Sequence, residues 1–279
     1  MNTQHTTNPM TLPDNLPRPE DDGGAAHLTG IRMPSVSLRS TSGELVDLAT
    51  VPGRVVVYAY PMTGVPGVEL PPGWNDIPGA RGCTPQTLSF QTEKEIFDGL
   101  GVKIYGLSTQ THAYQKELSD RLGLSFPILS DADFALTEAL HLPTMTVEGM
   151  RLIKRLTLVI DNGVIEHVFY PVFPPNASAT QTIDWLRKNP MEGSFDQGVT
   201  IYTTPDCPYC KAAKSLLNSK GVAFKEIDVG SNPSAAVTMA ARSGRKTVPQ
   251  IFIGAAHVGG SDELQELDRT GGLEAMLSR

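Results

Sequence analysis

Three cysteines are the residues in this 279-residue chain whose type and spacing can do chemistry. Cys207 and Cys210 form a C-x-x-C pair, and Cys83 stands alone far upstream. The thiolate, not the thiol, is the nucleophile, so the question for each is what surrounds it. In Thr204-Pro205-Asp206-Cys207-Pro208-Tyr209-Cys210 a β-rich run gives way to a helical one. The spacing puts both sulfurs in the first helical turn, where backbone N–H groups and the helix dipole favour a thiolate. Cys207 is expected to be the exposed nucleophile and Cys210, one turn deeper, the resolving thiol. Lys211 and Lys214 add positive potential. The competing reading is half of a zinc site, which needs two more Cys or His ligands at metal spacing. No nearby pair supplies them, and no metal is expected.

Cys83 follows Ile77-Pro78-Gly79-Ala80-Arg81-Gly82 and precedes Thr84-Pro85. A hydroxyl cap followed by proline in the first turn reads as a helix start at Thr84. A sulfur at a helix start beside Arg81 is in a setting that makes cysteines reactive. The alternative is a buried, inert cysteine. Gly, Arg, Thr and Pro around it, in place of an apolar pattern, favour the reactive reading.

The elements that position these thiols follow from periodicity. Pro34–Leu38 and Leu45–Leu48 alternate around Ser42-Gly43, a hairpin signature. Arg54-Val-Val-Val-Tyr-Ala-Tyr60 reads as a buried parallel strand. A proline-studded loop runs to Gly82. From Thr84 a single helix carrying Leu88, Ile96 and Leu100 is expected, closed by Gly101. Strands are expected over 102–107, 126–129, 155–160 and 164–170, the last two joined by an Asp161-Asn162-Gly163 turn. Helices are expected over 111–122, 132–140 and 177–188. The second half repeats the alternation: strands over 199–203, 223–229 and 250–253, helices over 208–219 and 233–241, and helices from Ser261 and Gly272. Alternating strands and helices make both halves α/β. The polar, Pro- and Gly-rich residues 1–26 read as a disordered tail. Residues 27–188 form a first domain, 189–197 a short flexible linker that raises the effective concentration of one domain for the other, and 198–279 a second domain.

Three motifs in order give residues 198–279 a resemblance to dithiol glutaredoxins: Cys207-Pro-Tyr-Cys210, Thr247-Val248-Pro249-Gln250-Ile251-Phe252-Ile253 and Gly259-Gly260-Ser261-Asp262-Glu263-Leu264. The resemblance implies a cis proline at Pro249 and a glutathione site. In it, the backbone at Thr247, Val248 and Pro249 pairs with the peptide. Gly260, Ser261 and Asp262 receive a carboxylate at a helix start. Tyr209 and Lys246 flank it; for Lys246 a plain solvated charge is the alternative. The lysine that many glutaredoxins carry at the position of Thr204 is absent.

Residues 28–188 resemble the peroxiredoxins, in particular their Q-type branch. The runs that carry this are Tyr58-Ala-Tyr-Pro61, Gly82-Cys83-Thr84, Val102-Lys-Ile-Tyr-Gly-Leu-Ser108, Phe126-Pro-Ile-Leu-Ser-Asp131 and Arg155-Leu-Thr-Leu-Val-Ile-Asp161. The resemblance implies two thioredoxin-fold domains in tandem, each a central mixed sheet flanked by helices. It makes Cys83 the peroxidatic thiol and Arg155 the arginine that steadies it, with Arg81 and Arg151 as competitors. Pro61, Thr63 and Gly82 would line the peroxide site. Two departures stand out. Ala80 replaces the family threonine, for which Thr63 is the substitute candidate, and residues 65–77 form an insertion carrying Trp74. A plain surface loop is the expected state of that insertion, with a lid or a dimer contact as alternatives.

The expected function is a glutathione-dependent thiol peroxidase acting on hydrogen peroxide and organic hydroperoxides, with the second domain recycling Cys83. Glutathione serves as reducing co-substrate, and no cofactor is bound. The alternatives are a disulfide oxidoreductase without peroxide turnover, a stoichiometric redox sensor and, more weakly, an iron–sulfur carrier. A net charge of −7 argues against nucleic acid or an anionic membrane as partner. Sparse cysteines, and a start with neither a basic nor an apolar segment, point to a cytoplasmic protein. A homo-oligomer formed through the first domain is left open.

Overall fold

The structure, a computed structural model, describes residues 12, 15–189, 198–254 and 256–277. These divide into two compact units, the first within residues 1–94 and 101–182, the second within 95–100 and 183–279. The expected linker at 189–197 lies, except for Asn189, outside the described residues.

From Ser37 to Lys188 the chain runs through β1 (Ser37–Ser40), β2 (Leu45–Asp47), β3 (Arg54–Ala59), α1 (Cys83–Thr92), α2 (Lys94–Gly99), β4 (Lys103–Ser108), α3 (His112–Leu122), β5 (Ile128–Ser130), α4 (Ala135–Ala139), β6 (Thr144–Val147), β7 (Met150–Ile153), β8 (Leu156–Asp161), β9 (Val164–Phe169) and α5 (Ser178–Lys188); α2 beyond Lys94 and α5 beyond Thr182 fall in the second unit, the rest in the first. Seven strands form a mixed sheet in the order β2-β1-β5-β4-β3-β8-β9. All six residues of β3 are buried. It pairs parallel with β4 and antiparallel with β8, and the burial of successive residues shows both of its faces covered, as its unbroken apolar run requires. Val55, Val57 and Ala59 join Leu107, Leu158 and Ile160 in one core. Tyr58, from the alternate positions, stacks on Phe90 of α1 with ring centroids 4.3 Å apart. That contact seats α1, and Cys83 with it, on the sheet. The β8–β9 turn is as expected, with Asn162 and Gly163 at positive φ.

Several expectations are corrected. The single helix from Thr84 is two helices that break at Glu93, and the apolar residues that they bury fully are Phe90 and Phe97, not Leu88 and Ile96. Its N-cap is Gly82, not Thr84. Where they are described, residues of the 1–26 segment are held in place. Asp22 accepts from Lys154 Nζ (2.5 Å) and the Tyr170 hydroxyl (2.6 Å), and Ala25 is buried in the core. Long-range partners supply the ordering energy that the segment's own composition lacks. The β6–β7 hairpin was not anticipated; it turns at Glu148-Gly149, both at positive φ. The insertion is no bare loop either. Trp74 is 3% exposed and packs with Ala80, Val147 and Leu152, joining the loop before Cys83 to that hairpin.

The second unit comprises β10 (Val199–Thr203), α6 (Pro208–Ser219), β11 (Phe224–Asp228), α7 (Pro233–Ser243), β12 (Gln250–Ile253), β13 (Ala256–Gly259), α8 (Ser261–Arg269) and α9 (Gly272–Leu277). Its mixed sheet has the order β11-β10-β12-β13, with β10–β11 parallel and β10–β12 antiparallel. Strand β13 is an addition to the expected elements. The core gathers Val199, Ile201, Ala213, Leu217, Ile251 and Leu264. Among the described residues, no helix is long and apolar enough to cross a membrane.

Truncating Trp74 tests the small core beneath the insertion. Trp74→Ala should cost about 3 kcal/mol or more, read by chemical denaturation as a shift in the transition of the first unit, with that of the second unit unmoved.

Candidate active site

Cys83 sits at the first position of α1 and is 5% exposed. Gly82 before it has φ 105°, and a Cβ there would fall 2.6 Å from Pro175 Cγ. Only glycine meets both conditions, and this turn aims the Cys83 side chain back under the loop. The Cys83 thiol donates to the Ala80 carbonyl at 3.4 Å.

The group that organises this corner is Arg155, 3% exposed just before β8. Its Nη2 donates to the carbonyls of Gly79 (3.2 Å), Ala80 (3.1 Å) and Arg81 (3.1 Å) and lies 3.2 Å from Cys83 Sγ. Its Nη1 donates to Gln86 Oε1. A buried guanidinium is tolerated only with such a set of acceptors, and none of these partners is a carboxylate. Gln86 is itself fully buried, and its Nε2 donates to Ser178 Oγ at 3.3 Å. Sequence reasoning missed Gln86. The available signal was its spacing, one helical turn beyond Cys83 on the same face of the helix.

Two buried tyrosines complete the surroundings. Burial above all, and then the charge at Cys83, holds the Tyr58 phenol well above its usual range. Burial, Tyr58 and Cys83 act in the same direction on Tyr60, whose hydroxyl donates to Gln115. Both rings therefore stay neutral beside the thiol.

The competitors of Arg155 separate cleanly. Arg81 is buried next to the loop, and burial pulls its guanidinium down from its usual range, with Cys83 acting the other way. Arg151 lies on the β6–β7 hairpin, paired with Glu138 and set over the Phe134 ring at 4.9 Å. Pro61 and Thr63 follow the end of β3. The Pro61 carbonyl accepts from Ser108 Oγ at 3.2 Å, and the Thr63 hydroxyl donates to Gln110 Oε1 at 3.2 Å. The hydroxyl expected to replace the one absent at Ala80 is thus committed to Gln110. Ala80 is buried in the small core that contains Trp74.

In the second unit Cys207 is the N-cap of α6, and its sulfur accepts the backbone N–H of Cys210 at 3.1 Å. A sulfur here takes the place usually filled by a Ser or Asp oxygen, with Pro208 at the following position. The Val248–Pro249 peptide is cis, and the Val248 carbonyl lies 3.7 Å from Cys207 Sγ. Cys210 is 1% exposed. Burial first, and then its hydrogen bond with Cys207, pushes its thiol up to about 11. Of the two lysines, Lys214 is already paired with Glu226 at 2.7 Å. Tyr209, Lys246, Thr247 and Asp262 are exposed, and Ser261 is buried at the start of α8. The Gly260 N–H donates to Glu263 Oε2 at 2.9 Å, and Glu263 in turn pairs with Arg245 at 2.6 Å. Glu263 thus occupies one of the N–H groups expected to meet a glutathione carboxylate. Among the described residues no group of three His, Cys, Asp or Glu side chains is arranged to hold a metal.

A buried cysteine clasped by an arginine at a helix start, and a C-x-x-C turn facing a cis proline, define two thiol-redox centres on related folds. The redoxin family model matches residues 28–183, more than half of the chain, and the chain belongs to that family; a glutaredoxin model matches residues 199–258. Glutaredoxin 3 of Escherichia coli is 54% identical over 79 residues, 28% of this chain and 95% of that protein. The hybrid peroxiredoxin hyPrx5 of Haemophilus influenzae is 39% identical over 116 residues, 40% of this chain and 47% of that one. Among solved structures, peroxidoxin BcpB from Mycobacterium tuberculosis has 23% identity and a TM-score of 0.48, over 58% of this chain and 97% of its own. The chain is a peroxiredoxin-like redoxin domain followed by a glutaredoxin domain.

Two outcomes follow from this geometry. Arg155→Ala should slow the reaction of Cys83 with peroxide by roughly 100-fold or more, the scale of losing one preorganised charge, with a native circular-dichroism spectrum; an unchanged rate moves the role to Arg81. Because the Cys210 thiol is pushed up to about 11, it stays protonated at neutral pH. Iodoacetamide should therefore modify Cys207 at pH 7 and reach Cys210 only in strongly alkaline solution, as peptide mass spectrometry across a pH series would read.

Proposed function

We propose that the chain is a glutathione-dependent thiol peroxidase in which the glutaredoxin domain recycles Cys83. The observation that carries this reading is the 3.2 Å approach of Arg155 Nη2 to Cys83 Sγ. It sets a buried positive charge where a thiolate forms and where the departing oxygen gathers negative charge. The first domain holds no second cysteine, so it cannot resolve its own oxidation product and needs an external thiol.

In the proposed cycle the Cys83 thiolate attacks one peroxide oxygen. The O–O bond breaks, and the leaving oxygen takes a proton and departs as water or an alcohol. Cys83 is left as sulfenic acid. The thiol of glutathione displaces the hydroxyl as water and forms a mixed disulfide with Cys83. The Cys207 thiolate attacks the glutathione sulfur, releases the Cys83 thiolate and becomes glutathionylated itself. A second glutathione attacks the glutathione sulfur of that adduct, regenerates Cys207 and leaves as glutathione disulfide. The sum is one hydroperoxide and two glutathiones converted to alcohol, water and glutathione disulfide. The backbone at Val248, Pro249, Gly260, Ser261 and Asp262, with Tyr209, Lys246 and Thr247 at the rim, is the site proposed for glutathione.

A burial-raised Cys210 favours this one-thiol route, because a protonated thiol is a poor competitor for the Cys207 adduct. The test is a steady-state peroxidase assay at saturating glutathione, coupled through glutathione reductase to NADPH oxidation. Cys83→Ser should abolish peroxide turnover but keep the reduction of a small glutathione mixed disulfide. Cys207→Ser should stop both, and Cys210→Ser should keep a substantial part of each. Equal loss in the Cys207 and Cys210 variants would instead indicate a dithiol route in which Cys207 attacks Cys83 directly. Peroxide turnover retained by Cys83→Ser would sink the assignment.

A further inference from the structure

Gln250 follows Pro249 and is 1% exposed, and a buried amide must find partners for both of its ends. Its Nε2 donates to the Thr247 carbonyl at 3.0 Å and to the Thr247 hydroxyl at 3.4 Å. A carbonyl only accepts, so this contact fixes which end of the amide faces the loop. Oε1 is left on the other side, where it meets His257 Nε2 at 2.7 Å. Because Oε1 can only accept, His257 carries its proton on Nε2. Burial first, and then Arg245, pulls His257 below its usual range, so at neutral pH the ring is neutral and Nε2–H is its one donor. A bulge brings the histidine here. Ile251 of β12 faces Gly259, but Phe252 faces His257, where an unshifted ladder would set Val258. Gln250 and Phe252, two apart on one strand, share a face, and the His257 ring lies 4.8 Å from that of Phe252.

We infer that His257 and Gln250 are positioning residues for the glutathione site, which together hold the Thr247 carbonyl and thereby aim the Val248 N–H at the bound peptide. The inference rests on the glutathione reading and extends it from the backbone that would touch the peptide to the pair that holds that backbone. The link is the peptide plane. In a planar trans peptide the Val248 N–H points opposite to the Thr247 carbonyl, so a bond that fixes one fixes the other. The Val248 carbonyl lies 3.7 Å from Cys207 Sγ, so the residue held in this way borders the nucleophile. Without the His257 donor, Oε1 of a buried amide has lost its partner, and the amide no longer has a reason to keep its Nε2 on Thr247. Neither side chain contacts a sulfur; both act through the loop.

The experiment uses the full chain carrying Cys83→Ser, so that only the second centre reacts, and follows reduction of the mixed disulfide of glutathione and 2-mercaptoethanol. His257→Phe keeps a ring against Phe252 but removes the donor. Its KM for the mixed disulfide should rise about tenfold, the scale of one lost bond to a buried polar group. Its kcat should change little, as when binding rather than chemistry is lost. His257→Gln restores an N–H and loses the ring, and should stay near the wild-type KM. A ring that only packs gives the reverse order of the two variants, and that order overturns the inference. Gln250→Glu, which sets an acceptor against the Thr247 carbonyl, should raise KM at least as much as His257→Phe. A second readout needs no activity: by ¹⁵N relaxation, the order parameter of the Val248 amide should fall in His257→Phe and hold in His257→Gln. Unchanged order and unchanged KM in a natively folded His257→Phe chain also overturn the inference. If the order falls but the chain with His257 intact reduces cysteine and glutathione mixed disulfides equally well, the hold on Val248 stands and the glutathione reading of the site fails.

Discussion

A buried guanidinium must find acceptors or it does not stay buried, and Arg155 finds them in the loop that carries Cys83. Three successive carbonyls turn inward to meet one nitrogen, which fixes the path of residues 79–81 and therefore the place where α1 begins. Gly82 allows the turn because its backbone adopts a left-handed conformation against Pro175. The helix then starts on the cysteine itself. The same guanidinium lies 3.2 Å from the sulfur, so the group that shapes the loop is also the nearest source of positive charge for a thiolate. Geometry and electrostatics are one interaction here. The remaining contacts hold Arg155 still: Gln86 from α1, with Ser178 behind it.

The second centre solves a similar problem by a different route. Its sulfur is its own cap: Cys207 accepts the Cys210 N–H, and the helix dipole acts on it with no arginine needed. The price is paid by Cys210, buried and protonated one turn deeper. Two thiols three residues apart are thereby made chemically unequal, by burial first and then by the hydrogen bond between them. A centre of that kind suits exchange through one sulfur, whereas Cys83 is buried with a guanidinium beside it.

The parts of the first unit that depart from the common pattern converge on the same corner. The insertion brings Trp74 into one small core with Ala80 of the cysteine loop. The N-terminal segment lays Leu12 and Pro19 against the glycines on either side of that loop. Added chain thus packs close to both ends of the loop that precedes the cysteine.

The sequence by itself determined the two α/β domains, because these rest on local patterns of strand and helix; it made the three cysteines candidates by their settings and named Arg155 through the peroxiredoxin resemblance, and the structure brings Arg155 to Cys83. The Asn162-Gly163 turn was legible from local pattern in the same way, and the cis Pro249 followed from the glutaredoxin resemblance. The tertiary structure alone decided what depends on partners distant in the chain. Residues 15–26 are held by Lys154 and Tyr170, more than a hundred positions away, and no composition reveals that. Thr63 was a plausible hydroxyl donor by position, but Gln110 claims it. The helix expected from Thr84 breaks at Glu93, and it buries Phe90 and Phe97 where the sequence pattern pointed to Leu88 and Ile96. Gln86 becomes a positioning residue only once Arg155 is brought to it. Local sequence specifies which groups are chemically competent, and long-range packing specifies which of them meet.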